Sequence, residues 1–184
     1  GSYDDAVERA AARAGEEGWV VVSDTAYPGY EVIPRHIMQG YTVMVREALE
    51  QLPGGTLPTH VFLQAGVGGL AAAVTAHLWE TLGPRRPRVV VVEPAEADCL
   101  LESALRGHPT PSRGSLATVM DCLACRNVSS LAWRILERGA DAFLTLSDQA
   151  AEQTVELLAS GTAGDPPVLS RPSGVAGLAG LVAA

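Results

Sequence analysis

The sequence predicts an α/β fold in which a parallel twisted sheet is covered by helices on both faces. Short, unbroken apolar runs alternate along the chain with longer segments whose apolar residues recur at helical spacing. Runs that are apolar at every residue are typical of parallel strands buried on both faces, and intervening helices supply the crossovers. The 184 residues, of which 47% are apolar, suffice for a single α/β domain over residues 3–184.

Five apolar runs are predicted as strands, and helices separate them. The strands cover residues 19–22, 60–65, 88–94, 142–146 and 168–170. The helices cover residues 3–17, 35–52, 69–82, 96–106, 116–138, 147–160 and 173–184, and Ser147 is placed to cap the sixth. Ligands of such sheets bind beyond the carboxyl ends of the strands. The loops at 23–34, 65–70, 94–98 and 170–174 are therefore expected to share one edge.

Charge and hydropathy narrow the classes of partner. The net charge of −8 does not suit a nucleic-acid surface, which needs basic side chains to displace counterions. No apolar run approaches the roughly 18 residues of a transmembrane helix. No secretory signal is recognisable, and Gly1 and Ser2 are typical of an expression scar. We therefore expect a cytoplasmic protein that binds neither nucleic acid nor membrane.

The cysteines and histidines give little support for a metal site. Cys122 and Cys125 have C-x-x-C spacing, but neither a second such pair nor closely spaced histidines accompany them. An odd number of cysteines without a secretory signal favours a reducing compartment. We predict that the thiols are buried apolar groups on helices and that no metal is bound.

Lysine is absent from the chain. All 13 basic residues are arginine. Chemistry that needs a lysine amine, such as a Schiff base with an aldehyde cofactor, is therefore beyond this chain alone.

The stretch FLQAGVGGLAAAV, residues 62–74, leads from a strand through a glycine loop into an alanine-rich helix. Glycines without a Cβ let an anion approach the backbone, and the first amides of a helix carry partial positive charge. The pattern predicts an anion site, with a purely structural tight turn as the alternative. The residues of the predicted anion site are Gly66, Val67, Gly68, Gly69 and Leu70.

Two phosphate ligands are compatible with this loop. The residues fit G-x-G-x-x-A, and Glu93 ends the next strand, where a ribose-binding acid of a dinucleotide site would stand. Against that interpretation, Pro94 follows Glu93, and the glycine loop lies in the second strand–helix unit rather than the first. Pyridoxal phosphate is the second candidate.

Six segments, in order along nearly the whole chain, resemble diaminopropionate ammonia-lyase. This family is similar to threonine dehydratase and belongs to the tryptophan-synthase-β group, the fold type II pyridoxal-phosphate enzymes. The most specific part is D-T-A-[WY]-x-G-Y followed by I-M-Q-G-Y. The segments are YDDAVERA, VVSDTAYPGYEVIPRHIMQGY, PTHVFLQAGVGGLAAAV, VVVEPAEADCLLES, LATVMDCLAC and SRPSGVAGL. The resemblance implies the large-domain fold of that group.

The resemblance also implies a reaction and residues for it. The reaction is α,β-elimination from 2,3-diaminopropionate, a small amino acid, to pyruvate and ammonia, with pyridoxal phosphate as cofactor. Asp24 matches the aspartate near the reacting substrate, where it would orient an ammonium group or transfer a proton. A loop cap on the backbone of Ala26 or Tyr27 is the alternative. The candidates for the pocket wall are Tyr27, Tyr30 and Gln39, and those for the loop close to the cofactor ring are Ser170, Ser173 and Gly174.

The chain also departs from the family pattern. In the family, an N-terminal segment carries the Schiff-base lysine and a D-G-N-H-G-type loop. A C-terminal segment carries the polar partner of the pyridine nitrogen. None of these three features is found in this sequence. Pro172 stands where the family tends to carry an acid. We therefore expect a fragment of a longer enzyme, a partial view of one, or a pseudoenzyme. A non-catalytic scaffold or partner-binding domain stays open as an alternative function, and a homodimer stays open as the assembly.

Overall fold

The computed structural model describes residues 3–161 and 165–184. The expression scar at residues 1–2 and part of the predicted 161–167 loop lie outside the described residues. Seven α-helices and three strands follow one another along this part of the chain. They are α1 (Tyr3–Glu17), α2 (Val32–Glu50), β1 (His60–Gln64), α3 (Gly69–Leu82), β2 (Arg88–Pro94), α4 (Cys99–Arg106), α5 (Ser130–Gly139), β3 (Ala142–Leu146), α6 (Asp148–Ser160) and α7 (Pro172–Ala183).

The strands form one parallel sheet in the order β1-β2-β3. In register, Phe62 is opposite Val90, and Val92 is opposite Leu144. The central strand β2 is buried at every position after Arg88. Its continuous burial explains why the sequence of β2 lacks the alternation that a one-sided sheet would show.

Helices cover the sheet on both faces, as the sequence predicts. On one face, α2, α3 and α5 pack over Val89 and Val91. On the other face, α6 and α7 pack over Val90 and Val92. The small residues of α3 let that helix lie close to the strands, because Ala71, Ala72 and Ala73 are all buried. The α/β architecture is therefore confirmed.

Two of the five predicted strands are wrong. Residues 19–22 form no strand, and Trp19, Val20 and Val22 are 57%, 79% and 74% exposed. Residues 168–170 also form no strand, and Leu169 is 91% exposed. Both runs are apolar enough for a strand, but no strand among the described residues pairs with them. Apolar composition alone does not supply the hydrogen-bond partner that a strand needs.

The helix predicted over residues 116–138 is wrong in its first half. Residues 116–129 are irregular apart from a short 3-10 turn at Asp121–Leu123, and α5 begins at Ser130. Cys122 and Cys125 therefore lie on a turn and not on a helix, and Cys122 is exposed. At Ser147, by contrast, the predicted cap is confirmed, because its side chain accepts a hydrogen bond from the Ala150 amide.

No helix among residues 3–161 and 165–184 is both long and apolar enough to cross a bilayer.

Helix α7 approaches the sheet through glycines. A Cβ at Gly177 would lie 2.6 Å from the Phe62 carbonyl oxygen, and one at Gly180 would lie 2.8 Å from Val92 Cγ2. Real Cβ atoms do not approach backbone oxygen that closely, so any larger residue must push the helix away from the sheet. The close packing of α7 therefore depends on these two positions.

We predict that Gly177→Ala lowers the free energy of unfolding of the full-length polypeptide by about 1–3 kcal/mol, the usual cost of overpacking. Gly40→Ala is the matched control, because a Cβ at this exposed position of α2 meets nothing within 4 Å. The control should raise stability by about 0.5–1 kcal/mol, since alanine is the better helix former. Urea unfolding measures both. Equal effects of the two variants would contradict this account of the packing.

Candidate functional site

The glycine loop forms the floor of a pocket of about 190 Å³. Gly68 has a left-handed backbone with a φ of 94°, and it precedes the first residue of α3. No side chain caps α3, and no amide of Gly66–Leu70 donates to a backbone carbonyl outside this helix among the described residues. These amides and the positive end of the α3 dipole therefore face the pocket with unused donors. All five residues predicted for the anion site, Gly66–Leu70, line it.

The turn at residues 122–125 closes one side of this pocket. A Cβ at Gly66 would lie 2.9 Å from Cys125 Sγ and 3.3 Å from the Cys122 carbonyl oxygen, so only glycine lets the turn pack so closely. The Cys99 thiol donates to the Gly66 carbonyl oxygen at 3.6 Å. Cys122, Leu123 and Cys125 line the pocket as well. The thiols thus help to shape the anion site, a role that the spacing of the cysteines does not predict.

Asp24 lines the same pocket. Its carbonyl oxygen would lie 3.8 Å from a Cβ at Gly69, so the loop after residue 22 lies directly against the glycine loop. The alternative interpretation of Asp24 as a cap on the backbone of Ala26 or Tyr27 finds no support. The Ala26 amide donates to Ser129 Oγ at 3.0 Å, and the Tyr27 amide donates to the Tyr30 carbonyl oxygen at 3.3 Å.

Ser129 holds the two loops together from the start of α5. The Ser129 hydroxyl oxygen accepts a hydrogen bond from the Ala26 amide. The Ser129 amide donates to the Val67 carbonyl oxygen at 2.9 Å. The amide of the next residue, Ser130, donates to the Ala26 carbonyl oxygen at 3.0 Å. Ser129 is completely buried. Ser129, together with the Ser130 amide, thereby fixes the position of Asp24 relative to the glycine loop.

Two tyrosines that the sequence interpretation does not select complete the polar wall of the pocket. The Tyr3 hydroxyl lies 3.2 Å from Asp24 Oδ1 and 2.7 Å from Thr25 Oγ1. Tyr41, on α2, lines the pocket beside them. Burial and the nearby charge of Asp24 raise the pKa of the Tyr41 hydroxyl. Both tyrosines lie within quoted segments of the family resemblance, YDDAVERA and IMQGY, and the sequence offers no other signal for them.

Glu93 does not face the pocket. Its side chain is fully buried, and its two carboxylate oxygens accept the amides of Leu100 and Leu101 at 2.8 Å each, at the start of α4. Burial raises the pKa of Glu93 to about 8, although these two donors favour the charged form. A carboxyl group occupied in this way cannot bind a ribose. The dinucleotide interpretation therefore loses its acidic residue.

The remaining predicted wall residues lie elsewhere. Tyr27 stacks on Tyr30 with ring centroids 4.9 Å apart, and Tyr27 lines a neighbouring hollow against α1. The Tyr30 hydroxyl accepts the Ser23 amide and donates to the Val21 carbonyl oxygen, both at 2.9 Å. Gln39 is exposed on α2 and lines a hollow between α2 and α3. Substrate contacts of Tyr27 and Gln39 stay predictions.

The loop before α7 does not line the pocket but contacts a residue that does. Ser173 is buried, and its hydroxyl lies 3.2 Å from the amide of Cys122, a pocket residue, and 3.3 Å from Asp121 Oδ1. The Cys122 thiol and amide, with Ser173, hold the pKa of Asp121 below its ordinary value. Ser170 and Gly174 lie next to each other, since a Cβ at Gly174 would be 2.9 Å from Ser170 Oγ. Cofactor contacts of Ser170, Ser173 and Gly174 also stay predictions.

Across the described part of the chain, no three His, Cys, Asp or Glu residues are grouped as metal ligands.

Comparison with known families decides between the phosphate ligands. The family model described as "Pyridoxal-phosphate dependent enzyme" matches residues 1–184. The chain belongs to this family. It is 40% identical over 183 residues to the diaminopropionate ammonia-lyase of Escherichia coli K12, an alignment that covers 99% of this chain and 46% of that protein. The chain thus spans about half the length of the curated relatives it matches.

Solved structures agree with this assignment. The chain superposes with a TM-score of 0.91 on E. coli diaminopropionate ammonia-lyase in complex with an aminoacrylate–PLP azomethine reaction intermediate, at 40% identity over 98% of this chain and 46% of that one. It superposes with a TM-score of 0.79 on a threonine deaminase from T.th., at 24% identity over 95% of this chain and 58% of that one, which shows the shared fold. The predicted resemblance and the predicted fold type II class are confirmed.

We predict that Glu93 makes stability depend on pH. Its pKa is about 8 in the folded protein against an ordinary 4.5, so the folded state keeps a proton that the unfolded state has lost. The free energy of unfolding should therefore fall as pH rises from 4.5 to 8, by at most about 1.4 kcal/mol per pH unit from this group.

The Glu93→Gln variant of the full-length polypeptide is the test. Glutamine does not titrate, so the slope of stability against pH should become shallower. Its NH₂ group also faces one of the two α4 amides, which should cost about 1–3 kcal/mol at the acidic end of the range. Urea unfolding at several pH values measures both effects. Identical slopes for the two proteins would contradict the raised pKa.

Proposed function

We propose that the protein, in its full-length form, catalyses pyridoxal-phosphate-dependent α,β-elimination of 2,3-diaminopropionate to pyruvate and ammonia. The observation that supports this most directly is the pocket in which an uncapped helix N-terminus and the carboxylate of Asp24 lie side by side. One wall suits a phosphate group, and the other suits an ammonium group. The 40% identity to diaminopropionate ammonia-lyase supports the same reaction.

The glycine loop fits the phosphate of this cofactor. The unused amides of Gly66–Leu70 provide donors for several phosphate oxygens, and the α3 dipole favours the negative charge. We propose that Ser170, Ser173 and Gly174 lie along the ring of the cofactor, next to the turn that carries Cys122. The chain contains no lysine, so none of its side chains offers an amine for covalent attachment of the cofactor.

Bound pyridoxal phosphate would supply the electron sink for the carbanion left when the α-proton departs. The residues of this chain would supply position and charge. Asp24 lies at the rim of the glycine loop, where its carboxylate can hold a substrate ammonium or transfer a proton at the β-amine that leaves. Tyr27 and Gln39 are proposed as outer substrate contacts.

The substrate class we propose is a small amino acid, in keeping with the 40% identity to diaminopropionate ammonia-lyase. We also propose a homodimer in the cytoplasm. The support for the homodimer is the exposed apolar segment at Trp19, Val20 and Val22. Apolar side chains exposed together often mark a surface that another protein segment covers. Sedimentation analysis of the full-length polypeptide and cell fractionation test these two proposals.

We predict that Gly69→Val weakens pyridoxal phosphate binding to the full-length polypeptide at least tenfold. A Cβ at Gly69 meets only the Asp24 carbonyl oxygen, at 3.8 Å, so the backbone tolerates a side chain. A branched side chain there would lie beside the anion site and obstruct the ligand. Gly15→Val is the matched control and should bind the cofactor normally, because Gly15 is an exposed position of α1 that does not line the pocket and where a Cβ meets nothing within 4 Å. Absorbance titration gives the affinities. Normal affinity in Gly69→Val would show that the loop is only a turn.

We predict that Asp24→Asn lowers kcat/KM for 2,3-diaminopropionate by about 10²-fold or more, the usual scale for a positioned acid–base group. Its melting temperature should change little, because Asp24 caps no backbone amide of Ala26 or Tyr27. Asp148→Asn is the control, since that carboxylate accepts hydrogen bonds from Thr118 and Val119 outside the pocket. The control should lower the melting temperature without changing turnover. The opposite pattern would make Asp24 a structural residue.

A further inference from the structure

We propose that Tyr3 is a positioning residue for Asp24, and that the pair selects substrates with a second amino group over substrates with a hydroxyl at the same carbon. This inference rests on the proposed elimination reaction and on the role of Asp24 in it. It adds a residue from the first turn of α1 to the site, and it names the feature that distinguishes diamino acids from serine.

The geometry shows how Tyr3 restrains the carboxylate. The Tyr3 hydroxyl donates to Asp24 Oδ1 at 3.2 Å, and Thr25 Oγ1 lies 2.7 Å from the same hydroxyl. Thr25 Oγ1 is also 3.3 Å from Oδ1. Each hydroxyl has a single proton, so one donates to Oδ1 while the other donates to its neighbour. Both arrangements hold Oδ1 in place and thereby orient the whole carboxylate.

The second oxygen of Asp24 is left for a ligand. Among residues 3–161 and 165–184, no hydrogen bond reaches Asp24 Oδ2, and no arginine or histidine forms an ion pair with this carboxylate. Tyr3, Tyr41, Gln64 and the glycine loop line the same pocket as this carboxylate, and none of them carries a positive side chain. A half-buried carboxylate with one oxygen available and no cation beside it is complementary to an ammonium group.

The same arrangement discriminates between leaving groups. An ammonium group on the β-carbon donates a hydrogen bond to Oδ2 in which both partners are charged, whereas a neutral hydroxyl donates a weaker one. The difference depends on the orientation of the carboxylate, since hydrogen bonds weaken steeply away from linear geometry. Without the phenol, Asp24 can rotate, and its preference for the diamine should decline.

The kinetic test compares 2,3-diaminopropionate with serine, which carries a hydroxyl in place of the β-amine. In the full-length holoenzyme, Tyr3→Phe should lower kcat/KM for 2,3-diaminopropionate about tenfold, the scale of one hydrogen bond to a charged group. It should leave kcat/KM for serine within about twofold, because the hydroxyl depends little on the orientation of the carboxylate. Thr25 can replace Tyr3 in part, so the double variant Tyr3→Phe/Thr25→Val should reduce the preference further.

Tyr30→Phe is the matched control. Its hydroxyl bonds to the backbone of Ser23 and Val21 in the same loop but does not contact Asp24. This variant should lower the melting temperature and keep the ratio of the two kcat/KM values. A wild-type ratio in Tyr3→Phe, or an equal loss of ratio in Tyr30→Phe, would overturn the proposal, because either result makes Tyr3 only a part of the loop scaffold.

A measurement without turnover separates this inference from the proposed function. Burial and the charge of Asp24 raise the pKa of Tyr3, so NMR titration of ring-labelled tyrosine should show that pKa falling in Asp24→Asn. An unchanged pKa would show that the two groups are not in contact and would overturn the inference whatever the activity. If the wild-type enzyme converts neither substrate while the pKa does fall, the proposed function fails and the Tyr3–Asp24 pairing stands.

Discussion

The site depends on the contacts of one buried serine. Ser129 binds the loop that carries Asp24 through its hydroxyl and the glycine loop through its amide. The loop at residues 23–30 has no regular structure beyond a single bridge between Tyr27 and Tyr30. Its position relative to the glycine loop therefore comes from partners outside the loop, Ser129 and the Ser130 amide. A buried amide without a partner is costly, so these hydrogen bonds hold the carboxylate and the anion site in one geometry.

The pocket carries positive potential on one wall and negative charge on the other, and the two do not form an ion pair. The helix N-terminus presents positive potential through amides, while the Asp24 carboxylate presents negative charge from a different element. The carboxylate makes no ion pair with the arginines of the described residues. A ligand with a phosphate at one end and an ammonium at the other satisfies both walls. Pyridoxal phosphate together with an amino acid has that distribution of charge.

The sequence predicts the elements whose signals are local. The runs around Phe62, Val91 and Leu144 are strands because each has an apolar centre and a hydrogen-bonded neighbour in the sheet. The glycine loop is predictable as well, because a glycine cluster between a strand and a helix is typical of an anion-binding loop. The segment from Trp19 to Val22 has an equally apolar sequence and yet is exposed. Strand formation depends on a hydrogen-bonding partner, which can be distant in the sequence and cannot be read from the segment itself.

Composition and local pattern determined the fold class, the anion loop and the absence of a lysine amine, and the family resemblance added Asp24. The tertiary structure decided which residues meet. Tyr3 and Asp24 are 21 positions apart, and Ala26 and Ser129 are 103 positions apart, so no local spacing predicts either contact. It also showed that Glu93 caps the start of α4 from the protein interior and does not face a ligand. Side-chain direction and burial depend on how the elements pack, and packing is a property of the whole domain.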